Sequence, residues 1–129
     1  MADAVDKTTT FSFEKLEAYI QAKILVKEIY RLQGRFPQEE KYARGDQVRR
    51  AAASITANIA EGCGRSSNKE KVRFIEIAFG SLTEAFSELQ LAQDLQYITE
   101  DEFDELRPCF TRVARILSGL RKSLSTENL

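Results

Sequence analysis

Six cations stand out for the chemistry their placement allows: Arg49, Arg50, Arg65, Lys69, Lys71 and Arg73 fall along one helical stretch and the turn after it. Lys and Arg gathered in this way neutralise phosphates, and binding of that kind is driven by charge and weakened by salt. It carries no strong base specificity, because sequence-specific readers of RNA expose aromatic stacking platforms and the phenylalanines here fall mainly on core stripes. For each cation taken alone, an ion pair is the plainer role. Glu61 and Arg65 have the i,i+4 spacing of an intrahelical pair, and Arg50 could equally meet an acid of the last helix. The run Gly-Cys-Gly-Arg-Ser-Ser from Gly62 has a superficial likeness to a phosphate loop, but no strand pattern precedes it and its spacing is not that of a Walker sequence.

Other chemistries find little to work with. The 129 residues include no histidine, which removes the usual general base, the commonest transition-metal ligand and the Glu-x-x-His pairs of di-iron bundles. Cys63 and Cys109 are the only cysteines, and a single pair so far apart suits neither a zinc site nor a disulfide framework, so both read as free thiols. No nucleophile, base and orienting group stand at matched spacing. A non-enzyme without cofactor or metal is expected.

Charge is uneven along a chain whose net charge is only −1. Residues 41 to 73 carry eight Lys or Arg against three acids, whereas residues 74 to 129 carry five against ten. Such asymmetry marks either a binding face or two segments that pair with each other after folding. The first ten residues, MADAVDKTTT, show no secretory signal, and the longest uncharged run, Ala51 to Ala60, is far short of the roughly 20 residues that span a bilayer. A cytoplasmic protein without a membrane partner is expected.

The elements that must hold these cations are helical. At 43% hydrophobic and 30% charged, with 6 Gly and 2 Pro, the chain suits one soluble helical domain without sheet. Residues 1–10 read as a polar, disordered leader, 11–124 as the bundle and 125–129 as a frayed tail. The first helix starts near Ser12 and stops at Gly34 and Pro37; the charged link after it includes Tyr42, placed to pack over a bundle end. The second is expected to start with Asp46 as its N-cap and to end at Gly62 and Gly64. Asn58, beside its apolar stripe, reads as fixing register.

Ser67 and Glu70 form a capping box for the third helix, whose core stripe is Phe74, Ala78, Leu82, Ala85, Leu89 and Ala92, broadened by Ile75, Phe79 and Phe86. Gly80 and Ser81 in mid-helix cost about 1 kcal/mol in propensity, which implies another helix crossing closely there. Thr99 and Glu102 cap the fourth helix, where Phe103, Leu106, Phe110, Val113, Leu117, Leu120 and Leu124 form a heptad seam. Pro108 is expected to kink or divide it. Four amphipathic helices on short links favour an all-α, up-down-up-down antiparallel four-helix bundle.

The second helix predicts more than a monomer. At roughly 100° per residue, Val48, Ala52, Ile55 and Ile59 share one face while Ala53, Ala57 and Ala60 lie opposite. A helix that is small or apolar nearly all round needs cover on two sides. The second cover is expected to be another copy, and Ile77, Leu91 and Leu95, outside the third helix's core stripe, indicate the same.

The run Gln47, Arg49-Arg50-Ala51-Ala52, Ser54-Ile55, Ala57-Asn58-Ile59-Ala60-Glu61-Gly62, Gly64-Arg65, then Phe74-Ile75, Ile77-Ala78 and Gly80-Ser81-Leu82, resembles the four-helix-bundle proteins encoded in intervening sequences of 23S rRNA genes. Phe13, Leu16, Phe36-Pro37 and Tyr97 extend the likeness over residues 11 to 124. That family is similar to the accessory variability determinant of diversity-generating retroelements, a pentameric bundle that associates with a reverse transcriptase and nucleic acid. The resemblance implies a non-enzymatic bundle that assembles into a cyclic oligomer, a homopentamer, and acts as a scaffold for RNA or a nucleic-acid-handling protein. The alternative is an adaptor that displays the acidic third and fourth helices to a protein and touches no nucleic acid.

Overall fold

A computed structural model describes residues 8–127; residues 1–7 of the expected leader and residues 128–129 of the expected tail lie outside the described residues. A 3-10 turn, Ser12–Lys15, precedes helix α1, Glu17–Gln33. A second 3-10 turn, Gln38–Glu40, leads into α2, Arg44–Cys63, followed by α3, Asn68–Asp94, and α4, Glu100–Glu127. The described residues form no strand.

Each helix buries the stripe that its spacing marks out. Ala18, Ala22, Leu25, Ile29 and Leu32 of α1 recur at steps of four and three and are inaccessible or nearly so, as are Val48, Ala52, Ile55 and Ile59 of α2. Ile75, Ala78, Leu82, Ala85, Leu89 and Ala92 of α3 meet Phe103, Leu106, Phe110, Val113 and Leu117 of α4 in the same core, with Phe86 packed 5.1 Å from Phe103 and 5.2 Å from Phe110 between ring centroids. Helix α2 lies against α1 and α3, and α4 against α3 and α1, so the four stripes enclose one core.

Local chemistry sets most of the boundaries. The Ser67 hydroxyl accepts from the Glu70 N–H at 3.1 Å, and Thr99 and Glu102 exchange both bonds of a capping box at 2.8 and 3.0 Å. Helix α3 ends in a left-handed residue, Gln96 at φ 66°, with the Tyr97 N–H returning to the Ala92 carbonyl at 2.8 Å and the Gln96 N–H to Gln93 at 2.9 Å. The two links at that end then lock together. Tyr97 donates its hydroxyl to Glu40 at 2.9 Å and packs on Phe36, while Arg35 pairs with Glu102 at 2.6 Å.

Five sequence expectations need correction. The first helical stretch is broken, because Leu16 takes an extended backbone between the 3-10 turn and α1. Helix α2 begins two residues before Asp46, behind Ala43, and the Asp46 side chain in its first turn accepts from Arg49 instead of capping. Pro108 does not divide α4, which runs unbroken through it with the proline on the exposed side. The close crossing expected at Gly80 and Ser81 is present at Ser81, which meets Ser54 of α2, but not at Gly80, where a Cβ would meet nothing within 4 Å. Tyr42 covers no bundle end and is 80% exposed, that position being filled by Phe36 and Tyr97.

Candidate nucleic-acid interface

The six cations do not form one patch. Arg49 and Arg50 lie about 20 Å along α2 from its end at Cys63, at the rise of 1.5 Å per residue, and Arg65 follows beyond that end. Arg49 is half-buried and committed inward: its guanidinium donates to Gln33 Oε1, to Asp46 Oδ1 and, at 3.1 Å, to the Lys41 carbonyl. Arg50, one residue on, is exposed. It makes no ion pair among the described residues and faces Glu84 of α3 across a cleft, so the expected acid of the last helix is not its neighbour.

The other four lie in sequence where α2 turns into α3. Arg65 pairs with Glu61 at 2.9 Å, as the i,i+4 spacing predicts, and lays its guanidinium 4.6 Å from the Phe74 ring centroid. Its Nε is buried without a hydrogen-bond partner among the described residues. Arg73 approaches the same ring at 5.8 Å and reaches Glu70 only loosely, at 3.9 Å. Lys69 and Lys71 make no ion pair among the described residues; Lys69 borders an open cleft of about 650 Å³ with Arg73, Asn68 and Ser125. Arg65 and Arg73 therefore share a corner held by Phe74, which Glu61 and Glu70 partly neutralise, and Lys69 lies beside Arg73; Lys71 is half-buried and faces away from them, bordering a separate cleft with Leu16, Ile59, Ile75, Leu120 and Leu124.

Two contributors were not legible as such. Gln33 holds Arg49 from another helix, and Phe74, read as core, is half-buried beneath two guanidinium groups. Both depend on tertiary neighbours, so no local spacing announces them.

The Ala face is largely uncovered. Ala53 and Ala57 are exposed, while Ala60 is half-buried beside Phe11 and Phe13, which border a cleft of about 380 Å³ with it. On α3 a ridge at steps of three and four runs Ile77, Ser81, Glu84, Glu88, Leu91 and Leu95. Two of its members touch α2: Ser81 bonds Ser54 at 2.7 Å and Glu88 pairs with Arg44 at 3.3 Å. The ridge thus flanks α2, and Ile77, Leu91 and Leu95 are 40%, 38% and 45% exposed along it.

Cys63 and Cys109 are free thiols, each partly buried. Cys63 has the Ser12 hydroxyl at 3.7 Å, and burial pushes the Cys109 thiol up from its ordinary value. No group of three or more His, Cys, Asp or Glu among the described residues could hold a metal ion.

Comparison with known proteins agrees with this fold. No curated protein matches the chain. A crystal structure of a protein of unknown function from the S23 ribosomal protein family, from Bacteroides thetaiotaomicron VPI-5482, is similar over 81% of this chain and 98% of its own, with a TM-score of 0.75 and 21% identity, a likeness of fold. The family model described as 23S rRNA-intervening sequence protein matches residues 14–119. The chain belongs to that family, the 23S rRNA-intervening sequence proteins.

Proposed function

We propose that the protein is a non-enzymatic, oligomeric scaffold that associates with RNA or a nucleoprotein through the basic corner at the α2–α3 turn. The observation that carries the nucleic-acid reading is exposed Lys69, without an ion pair among the described residues, beside Arg73, with Arg65 across the Phe74 ring from it. Phosphate contacts of this kind need no base readout. The bundle is up-down-up-down and antiparallel, a reading supported by cross-helix partners that descend on one helix as they ascend on the next: Arg44 with Glu88, Ser54 with Ser81, Phe86 with Phe103, Glu76 with Arg121.

Copies associate through Ala53, Ala57, Ala60 and the adjoining ridge of Ile77, Leu91 and Leu95, and close into a cyclic homo-oligomer. Five is the number implied by the family resemblance. A ring repeats a modest basic corner several times, and that repetition raises avidity without new contacts. A cytoplasmic location is part of the proposal; no helix among the described residues is long and apolar enough to cross a membrane.

The test is a titration of RNA against the wild type and a Lys69→Gln, Lys71→Gln, Arg73→Gln variant at several salt concentrations, after helicity and assembly have been checked. We expect the variant to bind more weakly at low salt and with a flatter salt dependence. Equal affinity and an equal salt slope would mean that these cations are structural, and the adaptor without nucleic-acid contact would replace the scaffold proposed here.

A further inference from the structure

The open faces of α1 and α3 carry opposite charges that are left over after pairing within the chain. Arg31 pairs with Glu28 at 2.7 Å, Lys23 lies over the Tyr19 ring at 5.2 Å, and Glu88 pairs with Arg44 at 3.3 Å. Lys27 of α1 and Glu84 of α3 are exposed, and neither has a partner among the described residues. Helix α2 packs against both α1 and α3, so the two charges open on different sides of the bundle.

Glu84 borders a cleft of about 420 Å³ between α2 and α3 whose chemistry favours a cation. Two carboxylates, Asp46 and Glu84, line it against one guanidinium, Arg50. Asp46 already serves Arg49, which makes Glu84 the carboxylate that an incoming group meets. The Tyr42 ring at the rim is 80% exposed and touches no other ring or cation among the described residues, so its face is open to an ammonium group. Along α3, Ile77 and Leu91 stand seven residues to either side of Glu84 and are both exposed. The surface therefore asks for a cation with apolar side chains on both flanks.

Helix α1 carries that arrangement. Apart from Phe11 and those on the α2–α3 face, the exposed large hydrophobic side chains among the described residues are Ile24 and Tyr30, both on α1. Lys27 stands three residues from each, at the centre of the outward face.

We propose that the outward face of α1 on one copy seats against the α2–α3 face of the next, with Lys27 entering the cleft to pair with Glu84 beside the Tyr42 ring, and with Ile24 and Tyr30 covering the apolar ridge around it. The inference rests on the self-association proposed above and names the second surface that it needs. Because the two faces differ, the contact is head-to-tail. Each added copy leaves one face of either kind open until a ring closes, so a two-fold dimer is not the end state.

Charge reversal and site-directed cross-linking test this on the full chain, with helicity checked for every variant. Lys27→Glu and Glu84→Lys should each raise the concentration at which the assembly half-dissociates by about tenfold or more, and the two together should bring it back toward the wild-type value. With Cys63→Ser and Cys109→Ser in place, a short bismaleimide should link chains that carry both Lys27→Cys and Glu84→Cys into a ladder of covalent multimers. Chains that carry either substitution alone should stay unlinked. If Glu84→Cys alone links two chains, the α2–α3 face meets itself and the inference is overturned. An assembled protein that gives no ladder removes the α1 contact alone, whereas a wild type that scatters as a monomer removes the self-association itself.

Discussion

The Ser54 and Ser81 hydroxyls lie 2.7 Å apart where α2 and α3 cross, and Ser54 Oγ also accepts from Asn58 Nδ2 at 2.9 Å. Small side chains let the helices approach, and their polar atoms are mutually satisfied; the cross-helix bond is made by Ser54 and Ser81, while the Asn58 amide bonds only within its own helix. We expect Ser81→Ala to cost about 0.5–1 kcal/mol, since Ser54 keeps Asn58. Ser81→Leu should cost about 1–3 kcal/mol by forcing the helices apart. Urea denaturation of both variants checks the order.

Gly62 and Gly119 should respond in opposite directions to alanine. A Cβ at Gly62 would stand 2.9 Å from Phe74 Cβ, a contact that needs movement of α3, whereas one at Gly119 would meet nothing within 4 Å. Gly62→Ala is expected to destabilise by about 1–3 kcal/mol. Gly119→Ala should stabilise by up to about 1 kcal/mol through helix propensity. Thermal melts of the two variants separate the effects.

Arg49 and Arg50, adjacent in sequence, should separate structure from binding. Arg49→Ala removes the donor that joins Gln33, Asp46 and the Lys41 carbonyl, and a loss of about 1–3 kcal/mol is expected. Arg50→Ala should leave stability within about 0.5 kcal/mol, as for a surface change away from such features. Denaturation midpoints alongside RNA affinities distinguish them.

Glu102 predicts an acid-sensitive helix start. The Thr99 backbone N–H, then Arg35, hold its carboxyl below the ordinary carboxylate value. A folded value lower than the unfolded one, about 4.3, gives stability that is present above that pH and lost as pH falls through the folded value. The stability difference between wild type and Glu102→Gln should therefore be full near neutral pH and narrow below about pH 4. A difference that stays constant through that window would remove the ionic part of the cap.

Much of the fold is legible in the sequence because its signals are local and periodic. The stripes Ala18 to Leu32 and Phe103 to Leu117 repeat at helical spacing, and the Ser67 and Thr99 caps are set by residues three apart. What escapes depends on neighbours that the chain brings together only by folding. Phe74 shares the periodicity of the α3 core, but it lies beneath Arg65, which the α2–α3 turn returns over it, as well as beside Arg73, its neighbour in α3. Asp46 has the type of an N-cap, yet its carboxylate is drawn to Arg49, which Gln33 of α1 holds from the far side. Pro108 breaks helices as a residue type, but on the exposed side of a well-packed seam the helix runs through it unbroken.

Self-association through the outer face of α2 is the claim on which the scaffold depends, and light scattering over a range of concentrations measures it directly. We expect a mass several times the 14.7 kDa of the chain. Ala57→Arg, which places a charge in the exposed small-residue face, should bring the mass down toward that of one chain with helicity unchanged. A wild-type protein that scatters as a monomer at every concentration would contradict the claim.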